Sequence, residues 1–504
     1  MHLQPHTDSE RKNFNMTSRS KVNIFYDLES SGLGKRLPNS RFNNYAWEQI
    51  YQFGYIVMDE DFEEIIEDGS MSARPLSTVL PHPQALLTTR KTMNELAQNE
   101  MTHHELIMAI HNKINEWNDK YEVAWGGHNI LGYDEHLLSE NFFKNLVFPY
   151  NTRTFDRFDT IKLIPFFDKI KPVLNKAISK TGKPTYSLEA LAHANNVGSA
   201  AAHDATEDVI MTASLVKILK KEDNDLFTEI FKLKDKNLVL DRMKKNKIFL
   251  VKLAAHAKHF RVMTLVGQDD NNLQYAYCLD VGEMLNNFNT SQDQPNKFVK
   301  RIKLNNFPLL MDWDETLLDA TQQQSKGKLK TIADQYHLNS LLLEGAKLDF
   351  EVKEFDHKMD KMNNEVIQPE EMIHSPRSSQ IEKVTYQKYN QDELKKITEQ
   401  SNIDLLSYFS KRILFEENPF ALTQEDREFI YAKNRERLFT EGNTYFHNIA
   451  EARDNLDSVK KDYLKHTEQE NKILDSYDEY LDAVEAYYKN ESFNHDQPFL
   501  FNLK

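Results

Sequence analysis

The sequence has little cysteine and no long apolar run. Cys278 is the single cysteine in 504 residues, so the chain can form neither an internal disulfide nor a cysteine zinc site, which fits a reducing compartment. No apolar run of about 18 residues occurs, and the charged start MHLQPHTDSERKNFNMTSRSK lacks the hydrophobic region of a signal peptide. These absences argue against a membrane span and against secretion, and they predict a cytoplasmic protein without a membrane partner.

Several common ligand motifs are absent as well. The sequence has no internal repeat, no phosphate-binding P-loop, no dinucleotide-binding glycine fingerprint and no Cys/His zinc spacing. What it does contain is an apolar fraction of 40%, which is enough for proper cores. The length of 504 residues predicts about two to four domains.

Positive charge is scarce overall but concentrated in one segment. The net charge of −15 argues at first against a nucleic-acid partner, since proteins that bind polyanions are commonly basic. Between Lys232 and Arg261, however, ten Lys or Arg residues stand against two Asp residues. Such a run is more often a solvated face than a binding site, but Phe249 and Phe260 interleave the cations, which is typical of grooves that follow a single nucleic-acid strand.

Two acidic residues end the first apolar pattern of the chain. In NIFYDLESSG, residues 23 to 32, the side chains alternate with a period of two, which predicts a strand with Asp27 and Glu29 on one face. The glycines that follow end the strand, so both acids lie at its C-terminal end, where open α/β sheets place their sites. Two like charges at this spacing repel each other unless a cation lies between them. These ten residues therefore fit either a metal site or a plain acidic turn.

Two later segments place acids at predicted helix starts. GGHNILGYDEHLL, residues 126 to 138, predicts a strand and a glycine turn before a helix whose first turn holds Asp134. The helix macrodipole alone would favour an acid there. In AHDATEDV, residues 202 to 209, Asp204 and Glu207 have the spacing of a capping box, which makes His203 the N′ residue and Asp208 the N4 residue.

The N′ and N4 positions of a helix meet in space, so His203 and Asp208 are predicted to be neighbours. They fit either a local hydrogen-bonded pair that fixes the helix start or a general base beside a metal ligand. Taken with the earlier acids, the sequence offers four carboxylates and no Cys or His ligand cluster, a set suited to Mg²⁺ or Mn²⁺ and poorly suited to zinc. Two such ions can flank a phosphodiester, and a histidine can accept the proton of the attacking water.

This order and spacing resemble the DEDDh 3′ to 5′ exonucleases of the RNase H-like fold. Within that superfamily the sequence is most similar to the bacterial exodeoxyribonuclease I family, on segments spread over nearly the whole chain: FDRFDTIKLI (155–164), YSLEALAHANNV (186–197), RIKLNNFPLL (301–310), KRILFEENPF (411–420) and ALTQEDREFIYAKNRERLF (421–439). The resemblance implies an enzyme that releases nucleoside 5′-monophosphates from the 3′ end of single-stranded DNA, with a role in DNA repair and recombination.

The same resemblance implies roles for individual residues. Two Mg²⁺ ions, for which Mn²⁺ can substitute, are expected on Asp27, Glu29, Asp134 and Asp208, with His203 as the general base. Positions near the 3′ nucleotide are matched by Ser30, Gln52 and Asn129. The backbone-tracking groove is predicted at Lys244, Lys245, Lys247 and Lys303. Single-strand-binding protein is an expected partner, and the chain is expected to act as a monomer in the bacterial cytoplasm.

The expected fold class is α/β, with an RNase H-like mixed-sheet exonuclease domain, an SH3-like β domain and a C-terminal all-helical domain. Local patterns agree, with a strand over Ile50–Met58, a helix over Met101–Trp117, short β segments between 247 and 313, and an apolar helical stripe from Ile473 to Tyr488. The predicted boundaries are a disordered tail at 1–20, the exonuclease domain at 21–220, the β domain with flanking helices at 221–367, a linker at 368–387 and the helical domain at 388–504.

Departures from the family pattern and two rival functions complete the prediction. The segment Arg36–Trp47 is longer than the family's usual first hairpin, and Glu416, Glu417 and Asn418 replace arginine, which weakens the expected grip on phosphate there. A DEDDh exoribonuclease is one rival, since the carboxylates cannot sense a 2′-hydroxyl. A catalytically inactive clamp for single strands or partner proteins is the other, although all five catalytic positions are filled.

Overall fold

The computed structural model describes residues 19–36, 43–179, 181–198, 204–253, 257, 259–269, 272–287, 294–351, 369–374, 391–400, 404–442, 446–461, 465–490 and 493. The predicted tail at 1–20, apart from its last two residues, lies outside this described part of the chain. The strands are β1 Lys21–Ser30, β2 Lys35–Arg36, β3 Asn43–Asn44, β4 Ile50–Asp59, β5 Ile65–Ser72, β6 Glu122–Gly126, β7 Asp156–Arg157, β8 Phe249–Val251, β9 Arg261–Asp269, β10 Asn272–Asp280, β11 Val299–Lys303 and β12 Leu310–Asp312.

The helices fall into an N-terminal, a central and a C-terminal group. They are α1 Pro83–Thr89, α2 Met93–Ala97, α3 His103–Lys120, α4 Asp134–Lys144, α5 Thr160–Ile170, α6 Leu188–Ala194, α7 Ala205–Glu222, α8 Asn224–Phe231, α9 Lys236–Lys245, α10 Val281–Asn286, α11 Ala320–Gln324, α12 Lys326–Tyr336, α13 at residues 340–351, α14 Gln391–Gln400, α15 Asp404–Glu417, α16 Gln424–Phe439, α17 Ile449–Lys460 and α18 Glu468–Tyr488.

The N-terminal sheet is mixed, as the sequence predicts. Its order is β5-β4-β1-β6-β7, with β1 antiparallel to β4 and parallel to β6. The period of two along β1 separates two layers: the ring of Tyr26 packs against Trp125, whereas the ring of Phe25 packs edge-on against Phe158. Asp27 and Glu29 continue the face of Phe25, because successive side chains of a strand alternate between faces.

Helix α7 lies across β1 and β4 at the end where the two acids stand. Gly54 of β4 permits this close approach, since a Cβ at that position would lie 2.4 Å from the carbonyl carbon of Ala205 and 2.6 Å from the amide nitrogen of Thr206. The first turn of α7 therefore rests directly on the backbone of β4.

A second, antiparallel sheet follows α9, in the order β11-β10-β9-β8-β12. The short β segments predicted between 247 and 313 form this sheet. It is fixed to the N-terminal region by Arg157, which donates to the carbonyl of Asn305, and by Lys162, whose ammonium donates to the carbonyl of Asn306 at 2.6 Å.

The C-terminal helices share a hydrophobic core with α1, α2 and the end of α4. The predicted apolar stripe of α18 is part of this core, and the hydroxyl of Tyr480 donates to the carbonyl of Leu76 at 3.0 Å. Within the segment predicted as a linker, Pro369–His374 forms a 3-10 turn whose Ile373 is buried in the same core. Among the described residues, no helix is both long and apolar enough to cross a membrane.

Candidate active site

Three of the four predicted metal ligands converge at the end of β1. Asp27, Glu29 and Asp208 each offer a carboxylate oxygen, and these atoms lie within 4.8 Å of one another. Asp27 and Glu29 share one face of β1, and Asp208 lies in the first turn of α7, which packs across that strand. The two local patterns read from the sequence, 180 residues apart, thus meet in one cluster.

Asp134 adjoins this cluster and is more deeply buried. It opens α4 and is 3% exposed, and its Oδ1 accepts a hydrogen bond from the backbone nitrogen of Leu28 at 3.1 Å. That bond ties the carboxylate to β1 between Asp27 and Glu29. The predicted position in a helix first turn is correct, with Tyr133 as the N-cap.

The electrostatics of these acids fit a divalent cation. Burial, followed by the charges of Asp134 and Glu29, raises the pKa of Asp27 well above its usual range. Burial and the nearby Asp208 raise the pKa of Glu29 to about 8, and burial raises that of Asp134 to about 8. A bound cation relieves this repulsion, and a donor set made of carboxylate oxygens suits a hard divalent ion.

The helix start that carries Asp208 differs in detail from the prediction. Asp204 is the N-cap of α7, as predicted, but its Oδ1 accepts from the amide of Thr206 at 3.0 Å, so the predicted capping box with Glu207 is wrong. The other oxygen, Oδ2, accepts from Nε2 of Gln52 at 2.9 Å. This contact links the cap residue to β4. His203, the predicted general base, lies outside the described residues.

A cavity of about 720 Å³ opens in front of the carboxylates. This volume lies in the usual range for ligand sites. Its wall includes the four predicted metal ligands, which come from β1, α4 and α7, and also Ser30, Asn129 and Tyr133. The wall also includes Lys35, His82, His447, Glu451 and Asn455, so the C-terminal region contributes to the cavity.

The residues predicted near the 3′ nucleotide are held by different partners. Ser30 lines the cavity, and its hydroxyl bonds the Tyr133 hydroxyl and the carbonyl of Gly32. Asn129 also lines the cavity in a left-handed conformation with φ 71°, and its backbone nitrogen donates to the buried carboxylate of Asp159 at 2.7 Å. Gln52 is 3% exposed, with Asp204 and Lys91 bonded to its two amide atoms.

The lysines of the predicted groove come from two segments of the chain. Lys244 and Lys245 are exposed in the last turn of α9, and Lys247 follows it, with its ammonium 3.0 Å from Asp334. Lys303 lies on β11, at the edge of the sheet three strands away from β8. Elsewhere in the basic segment, carboxylates pair with Lys232, Lys234, Arg242 and Arg261.

The acidic C-terminal motif faces inward. Glu416 stands near Arg412 and Glu417, and burial raises its pKa to about 7. Burial raises the pKa of Glu417 as well, against a hydrogen bond from Thr102. Both glutamates lie where α15 packs against the N-terminal region, near Lys144 and Thr102, so packing between the two regions explains acids at these positions.

Several residues of the site carry no local sequence signal. Lys91 reaches it from the turn between α1 and α2, and Glu451 and His447 reach it from the C-terminal region. His447 is 6.0 Å from His82 between ring centroids, and its Nδ1 is buried without a hydrogen bond in the described structure. Only the tertiary fold brings such residues together.

Known proteins resemble this chain in sequence over part of its length. Residues 24–216 match the family model RNase T, an exonuclease family. Exodeoxyribonuclease I of Haemophilus influenzae is 27% identical over 212 residues, 41% of this chain and 42% of that protein. Exodeoxyribonuclease I of Buchnera aphidicola is 25% identical over 228 residues, 44% of each chain. The matched segments thus span less than half the length of these relatives.

Solved structures match over a longer part of the chain. Exonuclease I from Methylocaldum szegediense superimposes with a TM-score of 0.70 at 18% identity, over 92% of this chain and 99% of that one. E. coli exonuclease I, crystallised with a dA16 oligonucleotide, gives 0.68 at 16% identity, over 92% and 100%. Residues 24–216 therefore match an exonuclease family model, and the chain has the overall fold of these exonuclease I structures.

Proposed function

We propose that this protein is a divalent-metal-dependent exonuclease that removes nucleoside 5′-monophosphates from the 3′ end of single-stranded DNA. The observation that carries the proposal is the convergence of Asp27, Glu29 and Asp208 within 4.8 Å, beside Asp134 and a cavity of about 720 Å³. The exonuclease match over residues 24–216, which contains all four acids, supports the same reaction.

The chain's own residues would divide the work as follows. Asp27, Glu29, Asp134 and Asp208 would hold Mg²⁺, or Mn²⁺ in its place. Such ions, when bound, lower the pKa of an attacking water and stabilise charge on the leaving oxygen. Ser30 and Asn129, which line the same cavity, would orient the terminal nucleotide. His203, as the general base, remains a prediction from the sequence.

Single-stranded DNA is the proposed substrate because the E. coli relative was crystallised with a dA16 oligonucleotide. A complex described as SSB/exonuclease I has also been crystallised, which supports single-strand-binding protein as a partner here. A role in DNA repair, a monomeric state and a location in the bacterial cytoplasm stay predictions.

The test is digestion of a single strand labelled at its 5′ end, with Mg²⁺, with Mn²⁺, with Zn²⁺ and with EDTA. Zinc is included because the E. coli relative has a zinc-bound form with single-stranded DNA. The proposal expects a ladder that shortens from the 3′ end with Mg²⁺ and none with EDTA. An RNA oligomer of the same sequence is the matched competitor. Faster loss of the RNA would favour an exoribonuclease, and binding without shortening would favour a clamp.

A further inference from the structure

A chain of three polar side chains connects the turn after α1 to the helix that carries Asp208. The ammonium of Lys91 donates to Oε1 of Gln52 at 2.9 Å, and Nε2 of Gln52 donates to Oδ2 of Asp204 at 2.9 Å. The Gln52 amide fits in one orientation only, because an ammonium cannot accept a hydrogen bond and a carboxylate cannot donate one. Lys91 and Asp204 are also 3.8 Å apart, close enough for direct attraction.

Lys91 and Gln52, the first two of these three hydrogen-bonded side chains, both come from rigid backbone. Lys91 stands between Arg90, the left-handed C-cap of α1 with φ 55°, and Thr92, which forms a capping box with Glu95 at the start of α2. Gln52 lies on β4, directly opposite Glu29 of β1. The backbone on both sides of Lys91 is thus held in place, and its side chain is 31% exposed.

At the other end, Asp204 fixes the first turn of α7. Its side chain caps the amide of Thr206, and its carbonyl accepts from the amide of Asp208 at 3.1 Å. The same turn rests on Gly54, two residues after Gln52 on β4. Any shift of Asp204 relative to β4 therefore moves the carboxylate of Asp208 relative to those of Asp27 and Glu29.

We propose that Lys91 is a positioning residue of the nuclease site, which acts through Gln52 and Asp204 to hold Asp208 in register with the two acids of β1. Gln52 then serves to transmit position, since both of its amide atoms are occupied and only 3% of its surface is exposed. The residue type matters at position 91: an ammonium satisfies the amide oxygen and also offsets the negative charge of Asp204, which a neutral side chain cannot do.

Removal of the Lys91 ammonium changes cation binding in opposite directions for the two roles that Lys91 could have. If Lys91 merely adds positive charge near the acids, its removal makes the site more attractive to a divalent ion. If it positions Asp208, its removal weakens binding, because residues that orient metal ligands typically contribute about 10- to 100-fold to affinity or activity. The direction of the change distinguishes the two roles.

The experiment compares Lys91→Met and Lys91→Arg with Lys113→Met. Lys113 is a matched control because it lies on α3 and its ammonium pairs with Glu67 of β5 at 2.7 Å. Calorimetric titration of DNA-free protein with Mn²⁺ should give about tenfold weaker binding for Lys91→Met, partial recovery for Lys91→Arg and no change for the control. With DNA, kcat should fall while KM for the oligonucleotide changes little. Unchanged or tighter Mn²⁺ binding by Lys91→Met would overturn the proposal.

A double variant tests the route through Gln52. Gln52→Met should match the loss of Lys91→Met, and the combined variant should be no worse than either, because residues in one network are not additive. Additive losses would show that Lys91 acts by another path. The inference rests on the proposed function only in requiring that the site bind a divalent ion. Wild-type protein that binds Mn²⁺ but leaves DNA intact would overturn the proposed function and leave this inference testable.

Discussion

The ammonium of Lys35 lies 2.7 Å from a carboxylate oxygen of Glu451, although 416 residues separate them in the sequence. Lys35 opens the small hairpin after β1, and Glu451 lies in the first turn of α17. Both line the cavity that contains the metal-binding acids. The C-terminal region is therefore part of the wall that a substrate strand would contact.

This pair predicts how charge at the cavity controls binding of a polyanion. Glu451→Gln frees the ammonium of Lys35 and removes a negative charge, so the affinity for a single strand in EDTA should rise by up to about fivefold, since ion pairs of this exposure contribute up to about 1 kcal/mol. Fluorescence anisotropy with a labelled oligonucleotide measures this. Asp482→Asn, on the exposed side of α18, is the control. Weaker binding by Glu451→Gln would mean instead that the pair serves to hold the wall in place.

The role of Asp208 predicts a separation of binding from cleavage. Asp208→Asn keeps the shape of the side chain but removes the charge that a cation needs, so release of mononucleotides should fall by about a thousandfold or more, as expected when the chemistry depends on the metal. Binding of a single strand in EDTA should remain close to the parent value. Glu222→Gln, at the far end of α7, should leave both unchanged. Cleavage by Asp208→Asn at the parent rate would show that the site is assigned wrongly.

Gly54 predicts that the approach of α7 to β4 is under steric control. In Gly54→Ala the added carbon would lie 2.4 Å from Ala205, so α7 must move away, at an expected cost of about 1 to 3 kcal/mol. Activity should fall together with the melting temperature. Gly327→Ala on α12 is the matched control, since nothing lies within 4 Å of its added carbon, and alanine has the higher helix propensity. Equal melting temperatures for the two variants would contradict this account.

How much the sequence could predict depends on how local each signal is. The alternation along β1 placed Asp27 and Glu29 on one face, and the helix starts placed Asp134 and Asp208 in first turns, because both patterns depend on near neighbours. The cap of Asp204 was predicted only in part: its side chain caps the amide of Thr206, and it also accepts a hydrogen bond from Gln52, a tertiary contact that the local pattern does not contain.

Residues that reach the site from distant segments had no such pattern. Lys91 precedes a capping box and Glu451 follows an N-cap, so the local sequence explains their backbone but not their proximity to the acids. Likewise, the groove at Lys244, Lys245, Lys247 and Lys303 stays a prediction: Lys303 lies on the edge strand β11, and the other three lie at or just after the end of α9. Strand order is set by long-range pairing, which one sequence does not display.

The exposed pair Lys244 and Lys245 predicts a measurable part of the salt dependence of DNA binding. Each phosphate contact releases counterions, so changing both to Ala should lower the slope of log K against log salt by about 0.7 per contact on a single strand. The control is Lys232→Ala in the same basic segment, whose ammonium is 2.6 Å from Glu229. Binding isotherms at several salt concentrations provide the slopes. A loss of affinity with an unchanged slope would exclude direct phosphate contacts at these lysines.

Lys144 predicts a pH dependence of stability. It is 3% exposed, its ammonium donates to the carbonyl of Glu48 at 2.8 Å, and Arg412 donates to its own carbonyl. Burial, with the charge of Arg412, lowers the pKa of Lys144 to about 7 from 10.5, although Glu140, Glu370 and Glu48 act in the other direction. The folded protein thus binds fewer protons than the unfolded chain between these two values, so folding stability rises with pH across that window.

The consequence can be measured by comparing the parent protein with Lys144→Met. Below pH 7 the parent carries the full cost of a buried charge, and this cost, on the order of a few kcal/mol, is lost as the pH approaches 10.5. The variant has no such cost, but it leaves the carbonyl of Glu48 without its donor at every pH. The melting temperature of Lys144→Met relative to the parent should therefore be higher at pH 6.5 than at pH 9.5. Lys236→Met, at the exposed start of α9, controls for the loss of a lysine at each pH. A difference in melting temperature between Lys144→Met and the parent that stays constant with pH would place the titration of Lys144 outside this window.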